Sequence, residues 1–305
     1  MSSGSKKVIY AALIGNTLIS VTKFAAAAIT GSSAMLSEGI HSLVDTGNQF
    51  LLLHGLKQAN KPADENFPFG YGKEVYFWSF IVAILVFALG GGISIYEGIS
   101  HILHPEPITS PMINYVVLGL ALIFEGAAWL FAFREFRLTK GKWGFFEAIQ
   151  RAKDPSTFVV LFEDSAAMLG LLVAFTGIVL SQLTGILYFD GAASVIIGLI
   201  LIGTAIWLAY ETKGLLIGES ANLNVIKDIR SIIKANPIVV YVNEVLTMHM
   251  GPDFILANIS VDFRDSCSAV ELESAIAEID QNIKAAHPQI KRIFIEAEKR
   301  VAKPV

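Results

Sequence analysis

Six stretches of the chain stay apolar long enough to cross roughly 30 Å of hydrocarbon. They fall near residues 8–28, 33–56, 75–100, 112–133, 158–181 and 187–212. Beyond Lys213 the character changes. Lys227, Asp228, Arg230, Lys234, Asp262, Arg264, Asp265, Glu271 and Glu273 follow in close succession, and no run there is long enough to span. The pattern predicts a multi-pass α-helical membrane protein, with six transmembrane helices over 1–214 and a soluble α+β domain over 215–305. Within the tail, Asn222 or Asn224 can cap a helix that runs to Lys234 and stops at Asn236-Pro237. Ile238–Met250 is rich in β-formers, Gly251-Pro252-Asp253 is a turn, and Phe254–Phe263 alternates apolar and polar positions. Ser268 can cap a helix opened by Glu271 and ended near His287-Pro288, and Ile290–Glu298 supplies a last strand. This predicts one sheet with helices on one face.

Composition sharpens the picture. Of 305 residues 53% are hydrophobic and only 16% charged, against about 25% charged in soluble chains. The net charge of −4 is small and mixed, which argues against nucleic-acid binding. A single cysteine, Cys267, excludes a disulfide framework and any zinc site built from several thiolates. Lys6 and Lys7 precede the first apolar run, and no small-residue cleavage pattern follows it, so the run reads as a retained span. The connections after the first, third and fifth runs carry no lysine or arginine. Those after the second and fourth carry Lys57, Lys61 and Lys73, then Arg134, Arg137, Lys140, Lys142, Arg151 and Lys153. The positive-inside rule therefore puts both termini and the tail in the cytoplasm, the bilayer being that of a bacterial inner membrane.

An ionisable side chain in hydrocarbon costs several kcal/mol, so each one needs a reason. The second run contains Glu38, His41 and Asp45, then Asn48, Gln49 and His54. Four-residue spacing puts His41 and Asp45 on one helical face, one turn apart. An imidazole nitrogen and a carboxylate so placed can grip one small cation; the plainer alternative is a His–Asp hydrogen bond that holds helices together. The fifth run offers Glu163 and Asp164, which point about 100° apart, so at most one faces a given partner squarely. Together His41, Asp45, Asp164 and Glu163 offer nitrogen and oxygen ligands that suit zinc, with manganese, iron and cobalt as alternatives. No prosthetic group is expected. Lys23, Glu97 and Glu125 also lie in apolar runs; for Lys23 the expectation is snorkelling or a carboxylate partner, for the glutamates a role in holding helices together. Asp190 is expected at the start of the sixth helix, where the helix N-terminus favours a carboxylate. Gly90-Gly91-Gly92 reads as close helix packing or a bend, and His101 and His104 as solvated loop residues.

The residues Gly31-Ser32-Ser33-Ala34-Met35-Leu36-Ser37-Glu38-Gly39-Ile40-His41-Ser42-Leu43-Val44-Asp45 resemble the second-span signature of cation diffusion facilitators. Pro68-Phe69-Gly70-Tyr71-Gly72-Lys73-Glu74 resembles that family's following loop. Asp154-Pro155-Ser156-Thr157 through Glu163-Asp164-Ser165-Ala166-Ala167 is similar to the branch containing the animal mitochondrial zinc exporter. The resemblance implies a homodimeric zinc–proton antiporter that works by alternating access, with a metallochaperone-like tail. Three departures stand out. The family's fifth-span His-x-x-x-Asp is missing, because Val160 lies four before Asp164 and Ala167 four after Glu163, so the register there stays open. Tyr71 replaces a loop histidine, which argues against the loop metal site of relatives. His249 and His287 are the tail's only histidines, so a tail metal cluster is doubtful and apolar packing is left to hold the dimer.

Alternatives from other classes are a membrane-embedded metal-dependent enzyme and a membrane scaffold or signalling protein. No His-Glu-x-x-His string and no Gly-x-x-x-x-Gly-Lys-Ser/Thr string occurs, which weighs against a metalloprotease and against direct ATP drive.

Overall fold

The computed structural model describes residues 3–140 and 155–300, so Lys142, Arg151, Lys153 and Asp154 lie outside the described residues. The chain divides into two compact units. One comprises residues up to Lys57 with Val75–Lys213, and the other Gln58–Glu74 with Gly214 onward.

Six long helices are found among the described residues of the first unit. They are α1 (Ser3–Thr30), α2 (Ser33–Ala59), α3 (Glu74–Leu103), α4 (Pro111–Lys140), α5 (Pro155–Thr184) and α6 (Tyr188–Ile217). Each of the first five apolar stretches lies inside one helix, and the sixth begins one residue before α6. By length and composition, the described parts of α3 to α6 are apolar enough to cross a membrane. Leu18, Phe50, Tyr96, Ile123 and Leu183 stand exposed on the helices. Exposed apolar side chains in such number suit contact with lipid rather than water.

Glycine makes the tight connections. Gly31 (φ 70°) and Gly185 (φ 70°) take the left-handed conformation that terminates α1 and α5. Each donates its backbone N–H back into the helix, to Ala27 and to Ser181. Glycine also sets the crossing of α3 and α6. A β-carbon at Gly98 would lie 2.7 Å from the Gly191 carbonyl, and one at Gly198 would lie 2.9 Å from the Gly91 carbonyl. The seven-residue spacing on both antiparallel helices brings two Gly–Gly contacts into line. Of the triplet 90–92, Gly91 makes this close approach and Gly90 lies against Leu201, while Gly92 is exposed; α3 is π-helical over Val86–Gly92.

The second unit holds α7 (Leu223–Lys234), β1 (Val239–Gly251), β2 (Phe254–Phe263), α8 (Ala269–Ala286) and β3 (Ile290–Ala297). Asn222 caps α7 by accepting from Asn224 N–H, and Ser268 with Glu271 forms a reciprocal capping box on α8. The sheet order is β1-β2-β3, antiparallel and then parallel, with α8 as the crossover. Ile255, Ala257, Ile259 and Val261 alternate inward and meet Ile229 and Ile233 of α7 and Ile279 and Ile283 of α8. Both helices thus cover the same face. The opposite face carries the cross-strand rows Leu246–Asn258–Phe294 and Met248–Leu256–Arg292.

The segment 58–74 folds with this unit. A β-carbon at Gly72 would collide with the Met250 carbonyl, so only glycine permits that approach. Asp64 organises the turn, accepting from the N–H groups of Asn66 and Phe67 and, at 2.6 Å, from the Tyr71 hydroxyl. These bonds, led by the Tyr71 hydroxyl, hold the Asp64 carboxyl below its usual range, and the same carboxylate pushes the Tyr71 phenol up.

Candidate metal-ion site on the second and fifth helices

Positions 38, 41, 45 and 48 recur at three- and four-residue steps, so α2 presents Glu38, His41, Asp45 and Asn48 along one face. Glu38 and Asn48 are fully buried, His41 is 2% exposed and the Asp45 side chain 17%. His41 Nδ1 lies 3.3 Å from Asp45 Oδ1, without the geometry of a hydrogen bond. Neither ring nitrogen of His41 has a hydrogen-bond partner; nor do Asp45 Oδ1 and Asn48 Oδ1. Buried polar atoms are nearly always satisfied; apart from the 3.3 Å approach of His41 to Asp45, these four have no partner in the protein, an arrangement that suits a bound ion. The His41–Asp45 approach lies within α2 and so by itself joins no two helices.

Helix α5 supplies the other side. Glu163 is buried, and its Oε1 accepts from Asn48 Nδ2 at 2.8 Å, tying α5 to α2. Asp164, half-buried beside it, feels the charges of Asp45, Glu125 and His41, and Glu163 feels Asp45. Among the described residues, no three His, Cys, Asp or Glu side chains close on one point tightly enough for an ion. The structure thus joins His41 to Asp45 and Glu163 to Asn48, and it does not gather all four predicted ligands around a single centre. What it provides is one nitrogen donor and several oxygen donors on facing helices. A first-row divalent cation would draw such donors together.

Several polar residues of the apolar runs take places that their spacing left open. Asn48 was visible only as one more polar residue in an apolar run. Lys23 is fully buried and does not snorkel; its Nζ donates to Glu38 Oε2 (3.0 Å), Ser42 Oγ (2.8 Å) and Glu125 Oε1 (2.9 Å). The expected carboxylate partner is therefore present, twice over. The signal available was charge balance, since one cation and two carboxylates in three apolar runs need each other. Asp190 sits in the first turn of α6, yet it caps α2. Its Oδ2 accepts from Ser33 N–H (2.5 Å), its Oδ1 from Ser32 Oγ (2.6 Å), and His101 Nε2 lies 3.6 Å away. His101 is accordingly buried in the last turn of α3 rather than solvated, whereas His104 is exposed. Glu97 is half-buried.

Residues 9–217 match the family model of the cation efflux transmembrane domain. The chain is 36% identical over 262 residues to the mitochondrial proton-coupled zinc antiporter SLC30A9 of Xenopus laevis, covering 85% of this chain and 47% of that protein. It is 28% identical to metal tolerance protein C4 of Arabidopsis thaliana, over 85% of this chain and 57% of the relative. To the manganese efflux system protein MneP of Bacillus subtilis it is 25% identical, over 75% of this chain and 74% of the relative. The chain spans about half the length of the zinc antiporters it matches. With well over half of its residues matched by the family model, the chain belongs to the cation diffusion facilitator family, whose members are membrane transporters and not enzymes.

Proposed function

We propose that this chain exports a divalent metal cation, zinc foremost, in exchange for protons, and that His41, Asp45, Asp164 and Glu163 carry the ion. The observation that carries the reading is the pair of buried His41 and half-buried Asp45, 3.3 Å apart and with no other protein partner for the imidazole nitrogens or Asp45 Oδ1, within electrostatic range of the α5 carboxylates. An imidazole nitrogen among carboxylates favours zinc over the harder cations. Relatives named for zinc and for manganese leave those two as the cargoes to compare.

Proton exchange follows from the ligands themselves. Imidazole and carboxylate bind a metal only when deprotonated, so release on the far side and protonation are one competition. Six helices cross the bilayer in this reading. Lys57, Lys61, Lys73, Arg134 and Arg137 lie on the loading side with the tail, and the site opens alternately to either face. A homodimer is supported by Leu246, Met248 and Phe294, exposed on the sheet face that the helices leave open.

The test is zinc flux into proteoliposomes. His41→Ala and Asp45→Ala should each abolish flux while the protein stays dimeric. Near-wild-type flux in both would remove these residues from the ion's path.

A further inference from the structure

Glu38 shares the ligand face of α2, three residues before His41, and lies within electrostatic range of it. Glu125 of α4 lies within electrostatic range of Asp164. Nothing in the spacing of either helix keeps these two carboxylates out of the ion's coordination shell. Each also has a buried oxygen with no hydrogen-bond partner, Glu38 Oε1 and Glu125 Oε2. Glu38 Oε1 rests against Gly170 of α5, at a place where any β-carbon would collide with it.

What restrains them is Lys23. An ammonium has three hydrogens, and here it has three acceptors: Glu38, Ser42 and Glu125, all within 3.0 Å. The group is wholly buried and bridges α1, α2 and α4. With Lys23 the cluster carries a net charge of −1; without it, two uncompensated carboxylates would border a site for a dication. Such carboxylates take up a proton or are compensated by the nearest cation, which here is the transported ion.

We propose that Lys23 is a positioning residue that sets the cargo's ligand shell. Acting as an internal cation, it occupies Glu38 and Glu125, so the transported ion meets His41 and a limited set of oxygens. The inference rests on the site reading above. Its consequence is selectivity: an oxygen-rich shell suits manganese, whereas a shell of few oxygens around an imidazole suits zinc.

The experiment is calorimetric titration of the purified full-length protein in detergent, with zinc and with manganese separately. Fold is checked by size exclusion and thermal unfolding. In Lys23→Gln the freed carboxylates enter the shell, and the zinc-over-manganese affinity ratio falls by about tenfold, the scale of outer-shell effects on metal sites. The triple variant Lys23→Gln/Glu38→Gln/Glu125→Gln removes the freed carboxylates and restores the wild-type ratio. A merely structural role would lower the unfolding midpoint without moving the ratio. A folded Lys23→Gln protein with the wild-type ratio overturns the proposal. So does a triple variant that loses zinc binding, since Glu38 or Glu125 would then be a ligand. If Lys23→Gln does not fold, Lys23→Gln/Glu125→Gln, which frees Glu38 alone, is titrated in its place: a fallen ratio supports the proposal and the wild-type ratio overturns it. Failure of the site reading itself shows separately, as normal zinc binding by His41→Ala in the same titration.

Discussion

At the scale of single residues, Asn48 distinguishes the two adjacent carboxylates of α5. Its amide donates to Glu163 Oε1, which engages Glu163 inside the protein, whereas both Glu163 and Asp164 lie within electrostatic range of Asp45. We expect Asp164→Asn to abolish zinc binding, because a ligand carboxylate contributes both charge and coordination. Glu163→Gln should weaken binding by about 10–100-fold or shift its pH dependence, as the loss of an orienting group does. Calorimetry on each variant decides; the reverse pattern would move the register by one residue. The His41–Asp45 pair was legible from spacing alone, because one helical turn fixes which side chains share a face. The α5 register was not, since neighbouring residues diverge by about 100° and only a partner such as Asn48 separates them. A second residue-scale effect lies at Asp64. Its depressed pKa means that the carboxylate's support of the 58–74 turn is present above the ordinary aspartate range and is lost as pH falls through the folded value. Tyr71→Phe removes the largest cause, so the Asp64 titration observed by NMR should move upward, and the turn should loosen at higher pH. An unmoved titration would contradict the hydrogen bond.

At the scale of elements, the apolar runs gave the helices nearly whole, because a helix that meets lipid must be apolar over its full length. Capping was equally legible: Ser268 and Glu271 satisfy each other's backbone donors as the three-residue spacing demands. What could not be read was which glycines face which. Gly91 and Gly98 on α3 meet Gly198 and Gly191 on α6, a pairing that needs the antiparallel register of two helices about a hundred residues apart in sequence. The π-helical turn at Val86–Gly92 was hidden for the same reason, since it depends on what packs beside it. Small residues let helix backbones approach within membranes, and overpacking a tight contact costs about 1–3 kcal/mol. Gly98→Leu should therefore lower the thermal unfolding midpoint in detergent by several degrees. Gly119→Leu, at an α4 glycine where an added β-carbon would meet nothing within 4 Å, should leave it unchanged. Equal effects at both sites would refute a specific α3–α6 contact.

At the scale of the whole molecule, a hydrophobic composition with sparse charge announced a membrane protein, and the charged stretch after Lys213 announced a second unit. The sequence could not reveal that residues 58–74 fold with the tail, because that depends on Gly72 admitting the Met250 carbonyl. Nor could it reveal the sheet's open face, which appears only once β1, β2 and β3 are in register. Leu246 (52% exposed) and Phe294 (43%) flank Asn258 in one cross-strand row of that face, with Met248 (37%) in the next. Large apolar side chains on the sheet face opposite α7 and α8 favour association with a like surface. His249 and His287 are the only histidines after Lys213, and Cys267 is the only cysteine of the chain. The dimer we propose should therefore be held by apolar contact and be indifferent to chelators. Light scattering of the full chain in detergent should give a dimer with and without chelator, whereas Phe294→Asp, which places a charge on that face, should give a monomer. A dimer that dissociates on chelation, or one that survives Phe294→Asp and Leu246→Asp together, would transfer the interface elsewhere.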